Sequence, residues 1–226
     1  MSLCPANGSI LGADMPFPYY DNLSNAKRRI YRKSDAIESI PVRKAADIHP
    51  QVLKLKASLE DNRRRDVAKS ASEICRMICE SLDTEVLTVK IRSRRPSSSA
   101  EELQGLYERT EGEPAVLTVW MKTAAKGQVV AFKSFIRTVL HELCHHIDYT
   151  HFDLEDSLHT EGFFKREASI YRQIVPAELQ KPDPRKMKAS RSRKPPARNK
   201  APRKRTAPRK TTEKQRSEEP EQMELF

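Results

Sequence analysis

Apolar residues recur every three or four positions in several segments of the chain, the spacing that places them on one face of an α-helix. From Asp66 to Leu82 this spacing continues without interruption and predicts a helix. A shorter helix is predicted after Pro50. A charge-rich helical segment upstream is expected to end at Pro41, because a proline ring does not fit inside a helix. The first part of the chain is therefore expected to be helical.

The middle of the chain has a different period. The sequence EVLTVKIRS alternates apolar and polar residues, which predicts a strand with Leu87, Val89 and Ile91 on its buried face. The segment that follows, EELQGLYERTEGEPAVLTVWMKTA, fits two structures. Ser99 and Glu102 resemble a helix capping box, whereas the turn-forming EGEP before the β-rich AVLTVWM favours a hairpin. We expect the hairpin.

The most regular helical pattern extends from about Val130 to Tyr149, and a last helix is expected to end at Pro176. These elements predict an α+β fold in which helices come first, a small mixed or antiparallel sheet packs on the long helix, and two helices come last. The expected organisation is a flexible N-terminus 1–20, a folded domain 21–176, a disordered basic linker 177–220 and a terminal peptide 221–226.

Positive charge is concentrated at the C-terminal end. The 226 residues carry a net charge of +11, and residues 181–226 contain sixteen Lys and Arg against six Asp and Glu. Frequent proline keeps such a segment extended. Its expected partner is DNA or RNA, with an anionic membrane surface second, although a tail that only confers solubility has the same composition. The residues expected to contact nucleic-acid phosphates are Arg203, Lys204, Arg205, Arg209 and Lys210.

The compartment is indicated by what the sequence lacks. No apolar segment approaches the ~20 residues of a membrane span, and the N-terminal residues do not have the charged start and apolar stretch of a signal peptide. None of the four cysteines forms a C-x-x-C pair, and Cys75 and Cys79 fit buried helical positions. We expect a cytoplasmic protein that associates with the nucleoid through its tail and not with a membrane.

The sequence HELCH lies within the long predicted helix and has the form H-E-x-x-H. Residues four apart face the same side of a helix, so His141 and His145 can both bind one zinc ion. Glu142 lies beside the first ligand and is expected to be the catalytic base that takes a proton from water. His146 faces about 100° away from His145 and is expected to be a supporting or surface residue.

A catalytic zinc site needs a third protein ligand. His159 is the preferred candidate, because the loop before it is long enough to fold back over the metal. His151 has the metzincin spacing, but that pattern needs Gly at the position of Asp148 so that the helix can turn sharply, and no methionine that could form a Met-turn follows within the folded part. Two carboxylates of the last predicted helix are further candidates: Glu161 and Glu167.

The sequences LHELCHHIDY and HTEGFF together resemble the SprT-like zinc metalloproteases, the group that includes the Spartan protease. The resemblance covers about residues 115–175. It implies a zincin-like fold with Glu142 as the catalytic base and Phe163 as the aromatic residue after the third ligand. It also implies that the strand VLTVWMK is a sheet edge, along which an extended substrate can bind by backbone pairing. The zinc ligands that it implies are His141, His145 and His159.

The final residues reverse the charge of the tail. The sequence QMELF at the C-terminus resembles the bacterial sliding-clamp-binding pentapeptide, which has the form Q-L-(S/D)-L-F. Gln222, Leu225 and Phe226 match its strongest positions. A short peptide with two apolar anchors has no core of its own and needs a preformed pocket on a partner. The resemblance therefore implies that the sliding clamp is a partner.

These features predict a zinc metallopeptidase of the H-E-x-x-H type whose protein substrates are bound or crosslinked to DNA, in the context of DNA repair. The tail would raise the local concentration of the enzyme at DNA. Two other functions fit the same sequence. One is a non-catalytic zincin-like adaptor or transcription-linked factor with a structural metal, and the other is a general cytoplasmic peptidase.

Overall fold

The computed structural model describes residues 17–95 and 104–181. Along the chain, helices come before and after the three strands of a small sheet. This combination confirms the predicted α+β class. The α-helices are α1 (Asn25–Asp35), α2 (His49–Glu60), α3 (Arg64–Ser81), α4 (Phe132–Thr150), α5 (Glu161–Ile174) and α6 (Ala177–Gln180), the strands are β1 (Thr88–Arg94), β2 (Gly105–Glu108) and β3 (Val116–Lys122), and two 3-10 helices are Pro18–Asn22 and Ala45–Ile48.

The predicted helices α2 and α3 are confirmed, and they pack against each other. Pro50 lies in the first turn of α2, where the missing N–H has no partner inside the helix in any case. The apolar stripe of α3 is fully buried in the core, as the three-to-four spacing requires. The members of that stripe are Val67, Ala71, Ile74, Cys75 and Ile78.

Helix α1 ends earlier than predicted. Its last residue is Asp35, so the predicted end at Pro41 is wrong. The carbonyls of Ser34 and Ile37 accept hydrogen bonds from the guanidinium of Arg166, at 2.5 and 2.7 Å. These contacts attach the end of α1 to α5, in addition to the backbone hydrogen bond from Ile37 N–H to the Ser34 carbonyl. The end of α1 therefore coincides with a tertiary contact and lies before the proline.

The sheet contains the predicted strand and the predicted hairpin. β2 pairs antiparallel with β3, with Gly105 opposite Val119, which confirms the hairpin. β1 pairs with β3 in parallel, with Lys90 opposite Thr118. The strand order is β1-β3-β2. The alternative reading as a capped helix depended on Ser99, which lies outside the described residues.

The strand VLTVWMK, which is β3, is the central strand of this sheet, so the prediction that it forms the edge is wrong. From Leu117 to Met121 every residue of β3 is buried, on both faces. Near-continuous burial is typical of a strand with neighbours on both sides, whereas an edge strand alternates. Within the described ranges β2 is the edge strand on the side of α4.

Helix α4 packs its apolar stripe against the sheet and against α5. The last predicted helix, α5, is capped at its N-terminus by Thr160, whose Oγ1 accepts a hydrogen bond from the N–H of Phe163. A short helix, α6, follows Pro176 in the segment predicted to be a disordered linker, and the 3-10 helix Pro18–Asn22 begins within the predicted flexible N-terminus. None of the helices in the described ranges is long and apolar enough to cross a membrane.

Gly162 provides a test of how α5 docks on α1. A Cβ at this position would overlap the backbone carbonyls of Ser34 and Asp35, which cannot rotate away. We expect Gly162→Ala to lower the free energy of unfolding by about 1–3 kcal/mol through overpacking. Urea denaturation followed by circular dichroism measures this change. Glu161→Ala, a neighbouring change that removes only a surface ion pair with Lys165, should cost less than about 1 kcal/mol. Equal midpoints for Gly162→Ala and the wild type would contradict the close docking.

Candidate metal centre

Three histidine side chains converge above the middle of α4. His141 and His145 lie one turn apart on that helix, as the i, i+4 spacing predicts. The Nε2 atom of His159 lies 3.0 Å from Nε2 of His141 and 3.2 Å from Nε2 of His145. Nitrogen atoms of all three rings lie within 4.8 Å of one another. These residues could therefore hold a metal ion.

The hydrogen bonds on the far sides of the rings determine which nitrogen faces the cluster. Nδ1 of His145 lies 2.7 Å from Oγ of Ser157, and that hydroxyl donates its own proton to Asp148 at 2.8 Å. The Nδ1–H of His145 is therefore the donor to Ser157. Nδ1 of His141 lies 3.4 Å from Oε2 of Glu167, a carboxylate that accepts its proton. In both rings the proton is on Nδ1, so the lone pair of Nε2 points into the cluster.

Lone pairs at this separation repel one another unless a cation lies between them. Zinc bound tetrahedrally at about 2.0–2.1 Å from each imidazole nitrogen would place those nitrogens about 3.3 Å apart. The observed distances of 3.0 and 3.2 Å are close to that value. Burial also lowers the pKa of His145 to about 3 and lowers that of His159, so both rings stay neutral at neutral pH. Neutral imidazole is the form that binds metal.

His159, and not His151, joins the pair on α4. His151 is the exposed residue that follows the last turn of α4, its ring lies against Phe152, and it does not belong to the cluster. The metzincin spacing needs the helix to stop near residue 148, but Asp148 is buried within α4 and bonded to Arg166 at 2.8 Å. The helix therefore continues past Asp148 and places His151 beyond the cluster.

The two candidate carboxylate ligands lie outside the cluster. Glu161 forms an ion pair with Lys165. Glu167 is buried and contacts His141 through Oε2 and Arg137 through Oε1, the latter at 3.3 Å. Carboxylates that accept the Nδ1 proton of a ligand histidine fix its orientation and raise its basicity. Glu167 therefore orients His141.

A buried chain of polar groups supports His145. Arg166 is fully buried, and its guanidinium contacts Asp148 and the carbonyl oxygens at the end of α1. Asp148 accepts from Ser157, which in turn accepts from His145. The ring of Phe163 lies below the cluster, with its centroid 4.8–5.1 Å from those of the three histidines. Phe163 is the aromatic residue expected after the third ligand, and its ring provides an apolar surface beneath the three histidines.

Glu142 lies beside the cluster at the edge of the sheet. Its carboxyl is buried, and this burial raises its pKa. A Cβ on Gly105 of β2 would overlap that carboxyl, so glycine at this position lets the strand approach Glu142 closely. Sequence reasoning missed Gly105, although an isolated glycine at the start of a predicted strand is a signal for close backbone approach.

His146 is buried, so of the two expected positions, supporting or surface, the surface one is excluded. Its Nε2–H donates to the carbonyl of Glu85 at 2.7 Å, because a carbonyl can only accept. Its Nδ1 therefore accepts from the hydroxyl of Tyr107, at 3.1 Å. Burial raises the pKa of Tyr107 to about 12, which keeps that hydroxyl protonated. Both residues attach α4 to the sheet, which is a supporting role.

Other predicted functional residues lie outside the described ranges. They are the phosphate-contacting residues Arg203, Lys204, Arg205, Arg209 and Lys210, and the clamp-binding residues Gln222, Leu225 and Phe226.

Comparison of the chain with protein-family models, with curated proteins and with solved structures finds no match. The resemblance to SprT-like metalloproteases therefore remains a prediction from the motifs.

Zinc titration tests the cluster. We expect one equivalent of Zn²⁺ to bind the full chain, and His141→Ala, His145→Ala or His159→Ala to weaken binding by more than about 100-fold, because each removes one of three ligands. Isothermal titration calorimetry with elemental analysis measures this. His151→Ala is the matched control and should bind zinc as the wild type does. Zinc binding that survives His159→Ala but not His151→Ala would contradict the geometry.

The support of His145 can be tested separately. Ser157→Ala removes the acceptor of the Nδ1 proton without touching a ligand. We expect the affinity for Zn²⁺ to fall about 10–100-fold, the usual effect of losing such a partner. Ser81→Ala is the control, because Ser81 is also half-buried and its hydroxyl bonds only to the carbonyl of Ile78. Identical affinities of the two variants would show that Ser157 has no role in orienting the ligand.

Proposed function

We propose that the chain is a zinc-dependent metallopeptidase of the zincin type, related to the SprT-like proteases, that hydrolyses proteins associated with or crosslinked to DNA. The observation that carries this proposal is the convergence of three imidazole nitrogens beside a buried glutamate at a sheet edge. Three histidines leave a fourth zinc position open, as catalytic sites do and structural sites do not. Zinc held there would polarise a peptide carbonyl and lower the pKa of a water molecule.

Glu142 has the role of general base in this proposal. Its pKa is raised towards the working range by burial, which favours proton transfer near neutral pH. It is adjacent to the cluster along α4 but does not belong to it, so it is free to take a proton from water. The same carboxyl then returns the proton to the departing amine.

An extended polypeptide fits the edge strand β2. The backbone of β2 pairs with β3 on one side only among the described residues, and Gly105 brings it next to Glu142. A substrate strand paired with that free edge would lie beside Glu142. Backbone pairing requires little of the substrate's side chains, which suits a protease that acts on varied DNA-bound proteins.

Association with DNA supplies the selectivity in this proposal. The basic tail, which contains thirteen Lys and Arg between residues 185 and 210, would bind phosphates without reading the base sequence. The terminal peptide would recruit the enzyme to the sliding clamp. Tethering to DNA raises the local concentration of substrate for an active site with little sequence preference.

Substitution of the base tests the reaction. We expect Glu142→Gln to lower kcat for cleavage of a DNA-bound protein by about 10²–10⁴-fold, because the amide cannot take a proton. Its affinity for Zn²⁺ should stay within a few-fold of the wild type, because Glu142 is not in the cluster. Glu161→Gln, at an exposed position of α5, is the control and should retain full activity.

Three outcomes would count against the proposal or a part of it. If zinc binds but neither the wild type nor Glu142→Gln cleaves any DNA-bound protein, the metal is structural and an adaptor role is favoured. If cleavage is retained in Glu142→Gln, another group is the base. Activity of the wild type that is the same with and without DNA would favour a general peptidase.

A further inference from the structure

The outer face of the sheet is basic. Along β1 the exposed cations Lys90, Arg92 and Arg94 alternate with Val89 and Ile91, which face the helical core. Side chains two residues apart on a strand project from the same face at intervals of about 6.7 Å. The three cations therefore form a row along one edge of the sheet, on the side away from the helices.

Two further cations extend this row. Lys122 of β3 lies directly opposite Arg94 in the strand register. Arg64, in the first turn of α3, donates to the carbonyl of Ile91 at 3.2 Å, which places its guanidinium at the open edge of β1. We refer to these five residues as the basic face: Arg64, Lys90, Arg92, Arg94 and Lys122.

The charges of the basic face are not neutralised by neighbours. No ion pair is formed by any of its five residues within the part of the chain that the structure describes. Lys56, Arg63 and Arg76, by contrast, each contact a carboxylate. Uncompensated like charges on one face repel each other and concentrate positive potential there.

The apolar part of this face does not fit a membrane. Trp120 lies opposite Arg92 in the register and is only 8% exposed, so its ring does not project. The large apolar residues that are exposed in the described ranges lie elsewhere: Phe17, Leu53, Val86 and Phe164. Membrane-surface binding combines cations with inserted apolar side chains, whereas phosphate-backbone binding needs cations alone.

The cations of β1 and the strand that borders Glu142 lie at opposite edges of the sheet. β1 and β2 are separated by β3, so the row on β1 is about 10 Å from β2 in the plane of the sheet. β2 is the strand whose Gly105 borders Glu142. A polyanion bound along β1 therefore leaves the free edge of β2 open.

We propose that the basic face is a second DNA-binding surface, which holds the phosphate backbone of duplex DNA against the folded domain independently of the tail. Binding there is sequence-indifferent, because the cations form salt bridges with phosphates, which carry no sequence information. The surface orients the domain on DNA, with the metal centre on the side away from the duplex. This binding does not require peptidase activity, so the DNA-binding proposal is tested independently of the proposed function.

Neutralisation of the three members other than Arg64 and Arg94, whose side chains bond to backbone carbonyls, tests the surface. We compare the full chain with the triple variant Lys90→Gln, Arg92→Gln, Lys122→Gln, using a 30-base-pair duplex of random sequence and fluorescence anisotropy over a series of salt concentrations. Each lost phosphate contact reduces the slope of log K against log salt by about 0.9. We expect the slope to fall by about 2–3 and the affinity at 0.1 M salt to fall at least about 10-fold.

A second triple variant controls for net charge. Arg29→Gln, Lys54→Gln, Arg172→Gln removes the same charge from α1, α2 and α5, away from the sheet. It should change the slope by less than about 1. Both variants should bind Zn²⁺ as the wild type does, which shows that the fold is intact.

Acetylation footprinting locates the contact directly. Bound duplex should protect Lys90 and Lys122 from acetylation, but not Lys54. Equal slopes in the two triple variants, or no protection of Lys90 and Lys122, would overturn the proposal and assign all DNA binding to other parts of the chain. Binding to anionic lipid vesicles that matches the DNA affinity, and that is lost in the sheet variant, would assign the face to a membrane surface instead.

Discussion

The buried ion pair between Arg166 and Asp148 is the contact on which the rest of the arrangement depends. Both side chains are fully inaccessible, and their charged atoms are 2.8 Å apart. Burying two charges costs several kcal/mol for each unless further hydrogen bonds complete their shells. Arg166 also donates to carbonyls at the end of α1, and Asp148 accepts from Ser157. One ion pair thus connects α1, α4, α5 and the loop before α5.

The same pair determines which histidine joins the cluster. Asp148 stays in the helix because its carboxylate is held by Arg166, so α4 does not turn early and His151 lies beyond the site. Asp148 also accepts a hydrogen bond from the hydroxyl of Ser157, which lies two residues before His159. This hydrogen bond holds the loop before α5 against α4, and the loop places His159 next to His141 and His145. A charge interaction remote from the ligands therefore organises them.

The sheet separates two chemical environments. On the side of β2, Gly105 and Tyr107 contact α4 near the histidine cluster, through Glu142 and His146. On the side of β1, exposed cations that form no ion pair with any described carboxylate line the outer face. The central strand β3 is buried on both faces and keeps the two environments apart. A protein that hydrolyses DNA-bound substrates would need this separation, since the polyanion and the substrate strand must be held at the same time.

Local periodicity was sufficient to predict α2, α3, α4 and α5, because burial of one face is a property of a short segment. The stripes of α3 and α4 lie in the core as their spacing requires, and the helical repeat alone brings His141 and His145 together. The hairpin was also predictable, from its turn residues and β-rich strands.

The sequence by itself determined the elements and two of the three clustered histidines, whereas the tertiary structure decided how distant segments meet. The choice of His159, the early end of α1, the central position of β3 and the burial of His146 all depend on contacts between residues far apart in the chain. Such contacts follow from loop closure and side-chain packing, and neither produces a periodic pattern of residues in the sequence.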